Sequence, residues 1–171
     1  MNERTGIITF KGNPLTLAGN EVKVGDTAPD FAVLGNDLSE VKLSSYRGKT
    51  CVISSVPSLD TPVCDIQTKR FNEEATALGP DVDILTISMD LPFAQARWCG
   101  TTGAKQVRTL SDHRDAAFGQ AFGLLIKELR LLARAVYVVD REGILRHAEI
   151  VKEVTSEPNY EAAIEAVKKL K

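Results

Sequence analysis

Apolar and polar positions change their period several times along the chain, and each change marks an element. Ile7-Ile8-Thr9-Phe10 is apolar and β-branched, Lys11-Gly12-Asn13-Pro14 is a turn, and Leu15-Thr16-Leu17 returns, which predicts an N-terminal β-hairpin. After the turn-rich Gly25 to Asp30, Phe31–Leu34 and Val41–Leu43 read as short strands. Thr50–Val56 and Asp83–Met89 alternate little, as strands buried on both faces do. Between them a helix opens with Thr61 as N-cap and Pro62 at the first helical position, and it stops after Leu78 at Gly79-Pro80. A second helix, capped by Asp90, runs to about Trp98 and frays near Cys99-Gly100. Val107–Leu110 is a short strand and Asp115–Phe122 a short helix, with His113 at its start. Ala133–Val139 and Ile144–Ile150 form an antiparallel pair about the turn Asp140–Gly143. A closing helix begins near Glu157-Pro158, with Tyr160, Ala163, Ile164, Val167 and Leu170 at helical spacing.

This order predicts an α/β fold, a central mixed sheet flanked by helices with an N-terminal β-hairpin, in the layout of thioredoxin-like domains. The 171 residues suit one domain over 1–171. Lys plus Arg is 21 against 23 Asp plus Glu, a net charge of −2, which leaves no electrostatic footprint for nucleic acid or an anionic membrane. No apolar run approaches the ~20 residues that span a bilayer, and Met1–Gly6 lacks a basic region leading into an apolar one. A cytoplasmic protein is therefore expected.

That location changes the meaning of the three cysteines. They are too few, and odd in number, for a secreted disulfide scaffold, and thiols that matter in a reducing compartment are catalytic, redox-active or metal-binding. A metal site is not expected, because Cys51, Cys64 and Cys99 contain no Cys-x-x-Cys and His113 and His147 stand alone. No organic cofactor is expected either, since no glycine-rich phosphate loop is present.

Cys64 has the most informative setting. It falls in the first turn of a helix leaving a buried strand, where free N–H groups and the positive end of the helix dipole favour a thiolate. It shares a face with Phe71, Ala75 and Leu78 and so points inward, and Thr61 could offer its hydroxyl to a substrate oxygen. A cysteine that merely packs there is the competing reading. Cys99, beside Trp98 and ahead of Thr101-Thr102-Gly103, suits a mobile resolving thiol or an incidental surface one. Cys51, mid-strand, reads as core. Arg134 lies in the apolar run Leu131–Tyr137 and needs an anionic partner, either a carboxylate or a thiolate.

Pro57, Thr61 and Cys64 stand at the spacing P-x-x-x-T-x-x-C, which resembles the peroxidatic motif of peroxiredoxins, and Gly25–Phe31 resembles the family's N-terminal signature. Asp90–Gly100, Leu110–Arg114 and Lys127–Arg134 are similar to the bacterial thiol peroxidases, the atypical two-cysteine type, as is the N-terminal hairpin. The resemblance implies that Cys64 attacks a hydroperoxide, hydrogen peroxide or an organic one, and becomes a sulfenic acid. It implies that Thr61, Arg134 and the N–H of Cys64 hold the peroxide, that Pro57 shapes the pocket, and that Cys99 of the same chain closes a disulfide with Cys64. Thioredoxin would then reduce the bridge, and the chain would form a homodimer.

Two other classes compete. A thiol–disulfide oxidoreductase on this layout would carry a second cysteine three residues before Cys64, where Thr61 stands. A non-enzymatic redox sensor would use a Cys64–Cys99 switch, but neither an appended domain nor a basic patch supports one.

Overall fold

Two sheets organise the chain, which a computed structural model describes over residues 2–171. The strands are β1 Glu3–Phe10, β2 Asn13–Ala18, β3 Ala32–Leu34, β4 Glu40–Lys42, β5 Thr50–Ser55, β6 Val82–Ser88, β7 Val107–Ser111, β8 Leu125–Ile126, β9 Leu131–Leu132, β10 Ala135–Val139 and β11 Leu145–Ile150. The helices are α1 Pro62–Leu78, α2 Pro92–Thr102, α3 Ala117–Phe122 and α4 Tyr160–Lys168. The larger sheet runs β11-β10-β5-β6-β7-β3-β4, with β5, β6 and β7 parallel and the remaining pairings antiparallel.

The period of two along β5 and β6 deals their side chains to two cores. Val52, Ile84, Val107, Val136 and Val138 meet α1, α2 and α4 through Phe71, Leu78, Trp98, Ala163 and Val167. Ile53, Leu85, Ile87 and Tyr137 pack on the other face with Phe118 and Phe122 of α3 and with Ile8, Leu17, Ile126 and Leu132. The rings of Phe31, Phe118, Phe122 and Tyr137 meet there, tilted or edge-on, at 4.9–5.7 Å.

The mixed α/β sheet flanked by helices, the N-terminal hairpin and the start and stop of α1 are as the sequence predicts. Several boundaries differ. The hairpin turn is Lys11-Gly12 alone, at φ 50° and 82°, and Asn13-Pro14 already belong to β2. The strands β8 and β9, two residues each, are too short to show a period, yet they extend the hairpin into a second sheet ordered β1-β2-β8-β9. Gly123 makes that junction possible. It sits at φ 67°, and a Cβ there would lie 2.6 Å from the carbonyl oxygen of Asn20.

The helix α2 is capped by Leu91 rather than Asp90, and it runs through Cys99 and Gly100 to Thr102. Gly103, left-handed at φ 72°, closes it by donating its N–H to the Cys99 carbonyl. Cys99 is thus in regular helix, not at a frayed end. The helix α3 starts at Ala117 because the Asp112 carboxylate accepts from the N–H groups of Phe118 and Gly119, which leaves His113 in the preceding turn.

Candidate active site

The buried strand β5 ends below the loop that carries the first turn of α1. Pro57 and Leu59 are buried in that loop. Its shape is set by Asp90, whose carboxylate accepts from Ser58 Oγ at 2.6 Å, the Leu59 N–H at 2.8 Å and Ser88 Oγ at 2.7 Å. Asp90 therefore holds the loop and does not cap a helix. Thr61 occupies the N-cap position, but its hydroxyl donates to the Ser58 carbonyl at 2.9 Å and does not cap α1. The first N–H groups of the helix, that of Cys64 included, are left without that usual acceptor.

Cys64 is fully buried at the third position of α1. Its sulfur accepts a hydrogen bond from Arg134 Nη2 at 3.3 Å across 70 residues of sequence. Arg134 is only 2 % exposed. Its Nε donates to the Val154 carbonyl at 2.8 Å and its Nη1 to Gln67 Oε1 at 2.9 Å. Gln67, fully buried, donates onward from Nε2 to Ser54 Oγ at 2.7 Å. A buried guanidinium without a counter-charge costs several kcal/mol. Neither protein acceptor here is charged, and the remaining partner of the guanidinium is the Cys64 sulfur. Of the two partners the sequence allows for Arg134, the geometry selects the sulfur over a carboxylate.

Cys99 is partly buried on α2. Its sulfur lies 3.5 Å from Thr109 Oγ1, whose own hydroxyl donates to Asn36 Oδ1 at 3.0 Å, so the thiol is the donor to threonine. The preceding residue ties the helices together, since Trp98 Nε1 donates to Asp65 Oδ1 in the first turn of α1 at 2.8 Å. Cys51 lies at the opposite end of β5, on the other face of the sheet, beside a cavity of about 290 Å3. Burial, helped by the nearby Asp83 charge, pushes its thiol up to about 12.

The redoxin family model matches residues 23–164. The thiol peroxidase of Bacillus subtilis (strain 168) is 63 % identical over 163 residues, 95 % of this chain and 97 % of that protein. The thiol peroxidase of Halalkalibacterium halodurans is 61 % identical over 161 residues, 94 % of this chain and 96 % of that one. Among solved structures, a peroxiredoxin-like protein from Aquifex aeolicus superposes with a TM-score of 0.91 at 43 % identity, covering 98 % of each chain. The chain belongs to the redoxin family.

As a redoxin it has the thioredoxin-like fold of the peroxiredoxins, the one the element order and the motif resemblance imply. The site brings Cys64 and Arg134 into contact, with Pro57 and Thr61 in the loop that leads to Cys64. It holds Cys99 to a different partner, Thr109, and leaves Cys51 apart. Sequence reasoning misses Gln67 and Asp90 as organising residues. Gln67 is three residues after Cys64 on the same helical face, so a polar residue on an inward stripe is the signal that could have found it. Nothing local marks Asp90 as the holder of this loop, because Ser58 and Leu59 lie 32 and 31 residues away.

The Arg134 contact has a measurable consequence. Arg134→Met, which keeps the volume and drops the charge, is expected to move alkylation of Cys64 by iodoacetamide to more alkaline pH. An unchanged pH profile would mean that the guanidinium does not stabilise the thiolate.

Proposed function

We propose that this thiol-dependent peroxidase reduces hydroperoxides at Cys64 and resolves the product with Cys99 of the same chain. The observation that carries the reading is the 3.3 Å contact of Arg134 Nη2 with a fully buried Cys64 sulfur at a helix start. The thiolate attacks the outer oxygen of ROOH, the O–O bond breaks, and Cys64 becomes a sulfenic acid while RO⁻ leaves and takes up a proton. The guanidinium of Arg134, the Cys64 N–H and the Thr61 hydroxyl supply donors where charge develops on the departing oxygen. Thr61 does so by exchanging its Ser58 acceptor for the substrate. Pro57 shapes the floor of this pocket and keeps water back.

Cys99 then attacks the sulfenic sulfur, a Cys64–Cys99 bond forms, and water leaves. The two sulfurs rest on different partners, Arg134 and Thr109. The first turn of α1 and the Trp98-bearing part of α2 must therefore loosen before disulfide geometry is reached. A thioredoxin-type dithiol restores both thiols by exchange. The substrates are hydrogen peroxide and alkyl or lipid hydroperoxides, and the role is antioxidant defence in the cytoplasm. The chain acts as one domain over residues 1–171 and as a homodimer, without metal or organic cofactor. No helix among the described residues is long and apolar enough to cross a membrane.

The test is peptide mapping of the peroxide-treated protein under non-reducing conditions. The expected product is a single intrachain bridge joining the peptides of Cys64 and Cys99, reversed by thioredoxin. A bridge to Cys51, or one between chains, would overturn the assignment of the resolving thiol.

A further inference from the structure

The carbonyl that orients Arg134 belongs to Val154, and Val154 lies outside any regular helix or strand. Left to itself, such a segment would not hold an acceptor in place. The N-terminal hairpin holds it. Thr9 of β1 donates its N–H to the Lys152 carbonyl at 2.7 Å, and its own carbonyl accepts from the Val154 N–H at 2.9 Å. Between those two bonds sits Glu153. Its carboxylate accepts from Thr9 Oγ1 at 2.8 Å, the Lys11 N–H at 3.2 Å, the Gly12 N–H at 2.9 Å, the Thr155 N–H at 2.9 Å and Thr155 Oγ1 at 2.6 Å.

The positive φ of both Lys11 and Gly12 turns their two N–H groups onto the carboxylate, so this tight turn serves as an anion nest. These bonds, those from Thr155 foremost, hold the Glu153 carboxyl well below the usual carboxylate range, and it stays charged across neutral pH. The clamp closes on the exposed side of the hairpin turn. Its reach ends at the Val154 carbonyl, which faces the buried guanidinium.

We propose that Glu153 is a positioning residue for the peroxidase reaction, clamping the N-terminal hairpin to the segment whose Val154 carbonyl aims Arg134 at Cys64. The proposal rests on the Cys64–Arg134 reading above and adds a task for the hairpin, which that reading leaves idle. Once the clamp opens, the Val154 carbonyl drifts. Arg134 Nε then loses its fixed acceptor, and the guanidinium no longer lies squarely on the sulfur.

Glu153→Ala is expected to slow peroxide oxidation of Cys64 about tenfold in rapid mixing, within the ~10²-fold that a misplacement near 1 Å can cost. Cys64 alkylation should move to more alkaline pH in the same variant, a readout that a merely structural clamp would not shift. Combined with Arg134→Met, Glu153→Ala should slow the reaction no further, because it acts through the arginine. Thr9→Val is measured beside it, since it removes one donor and keeps the main-chain pairing. A smaller slowing with a smaller pH displacement in the same direction is expected there even if Glu153→Ala fails to fold. Unchanged oxidation and alkylation in the folded variants, or an equal slowing in the Arg134→Met background, would overturn the proposal. If Arg134→Met alone leaves both readouts unchanged, the underlying reading of the site falls, and that result appears without any Glu153 variant.

Discussion

Cys64→Ser is expected to reduce peroxide turnover to the uncatalysed background, a loss of at least about 10³-fold for removing a nucleophile that acts together with its supporting groups. A serine hydroxyl stays protonated at neutral pH, and Arg134 can only donate to it. Neither remaining thiol can substitute. Cys51 is on the far face of the sheet with its thiol pushed up to about 12. Cys99 donates to Thr109 and has no cation among its hydrogen-bond partners. The measurement is hydroperoxide loss with a thioredoxin system. Turnover retained by Cys64→Ser would remove Cys64 from the nucleophilic role.

Cys99→Ser separates the two halves of the cycle. The nucleophile and its arginine are intact in this variant, so about one equivalent of peroxide per chain should be consumed as sulfenic acid forms. Turnover should then stop, because a serine hydroxyl cannot displace the sulfenic oxygen to make a disulfide. The buried Cys64 gives a thioredoxin dithiol no exposed bridge to attack. A burst of one equivalent followed by a plateau is the expected trace, and mass analysis should place the added oxygen on the Cys64 peptide. Continued recycling would assign resolution elsewhere, with Cys51 as the remaining cysteine of the chain.

These outcomes depend on features that were readable in the chain to different degrees. The helix α1 was readable because every signal is local. Thr61 and Pro62 open it, Gly79 closes it, and the stripe of Cys64, Phe71 and Leu78 points it inward. The strands β5 and β6 were readable because both faces are buried and the β-branched run is long. The ends of α2 were not, since Asp90 is an ordinary cap in sequence but finds stronger demand from Ser58, Leu59 and Ser88 in space. The strands β8 and β9 were invisible, because two residues carry no period and only the waiting edge of β2 makes them strands.

The sequence by itself determined the α/β class, the helix that presents Cys64 and the presence of a cation in a buried run. Those follow from propensity, capping and periodicity, which act within a few residues. Only the tertiary structure decided that Arg134 meets the Cys64 sulfur, that Gln67 and Val154 accept from its other nitrogens, and that Glu153 ties the N-terminal hairpin to the segment carrying Val154. Each of these contacts joins groups 20 to 144 positions apart. Such pairings carry no local signature, because the free energy that selects them exists only once the sheet has brought the strands together and excluded water from between them.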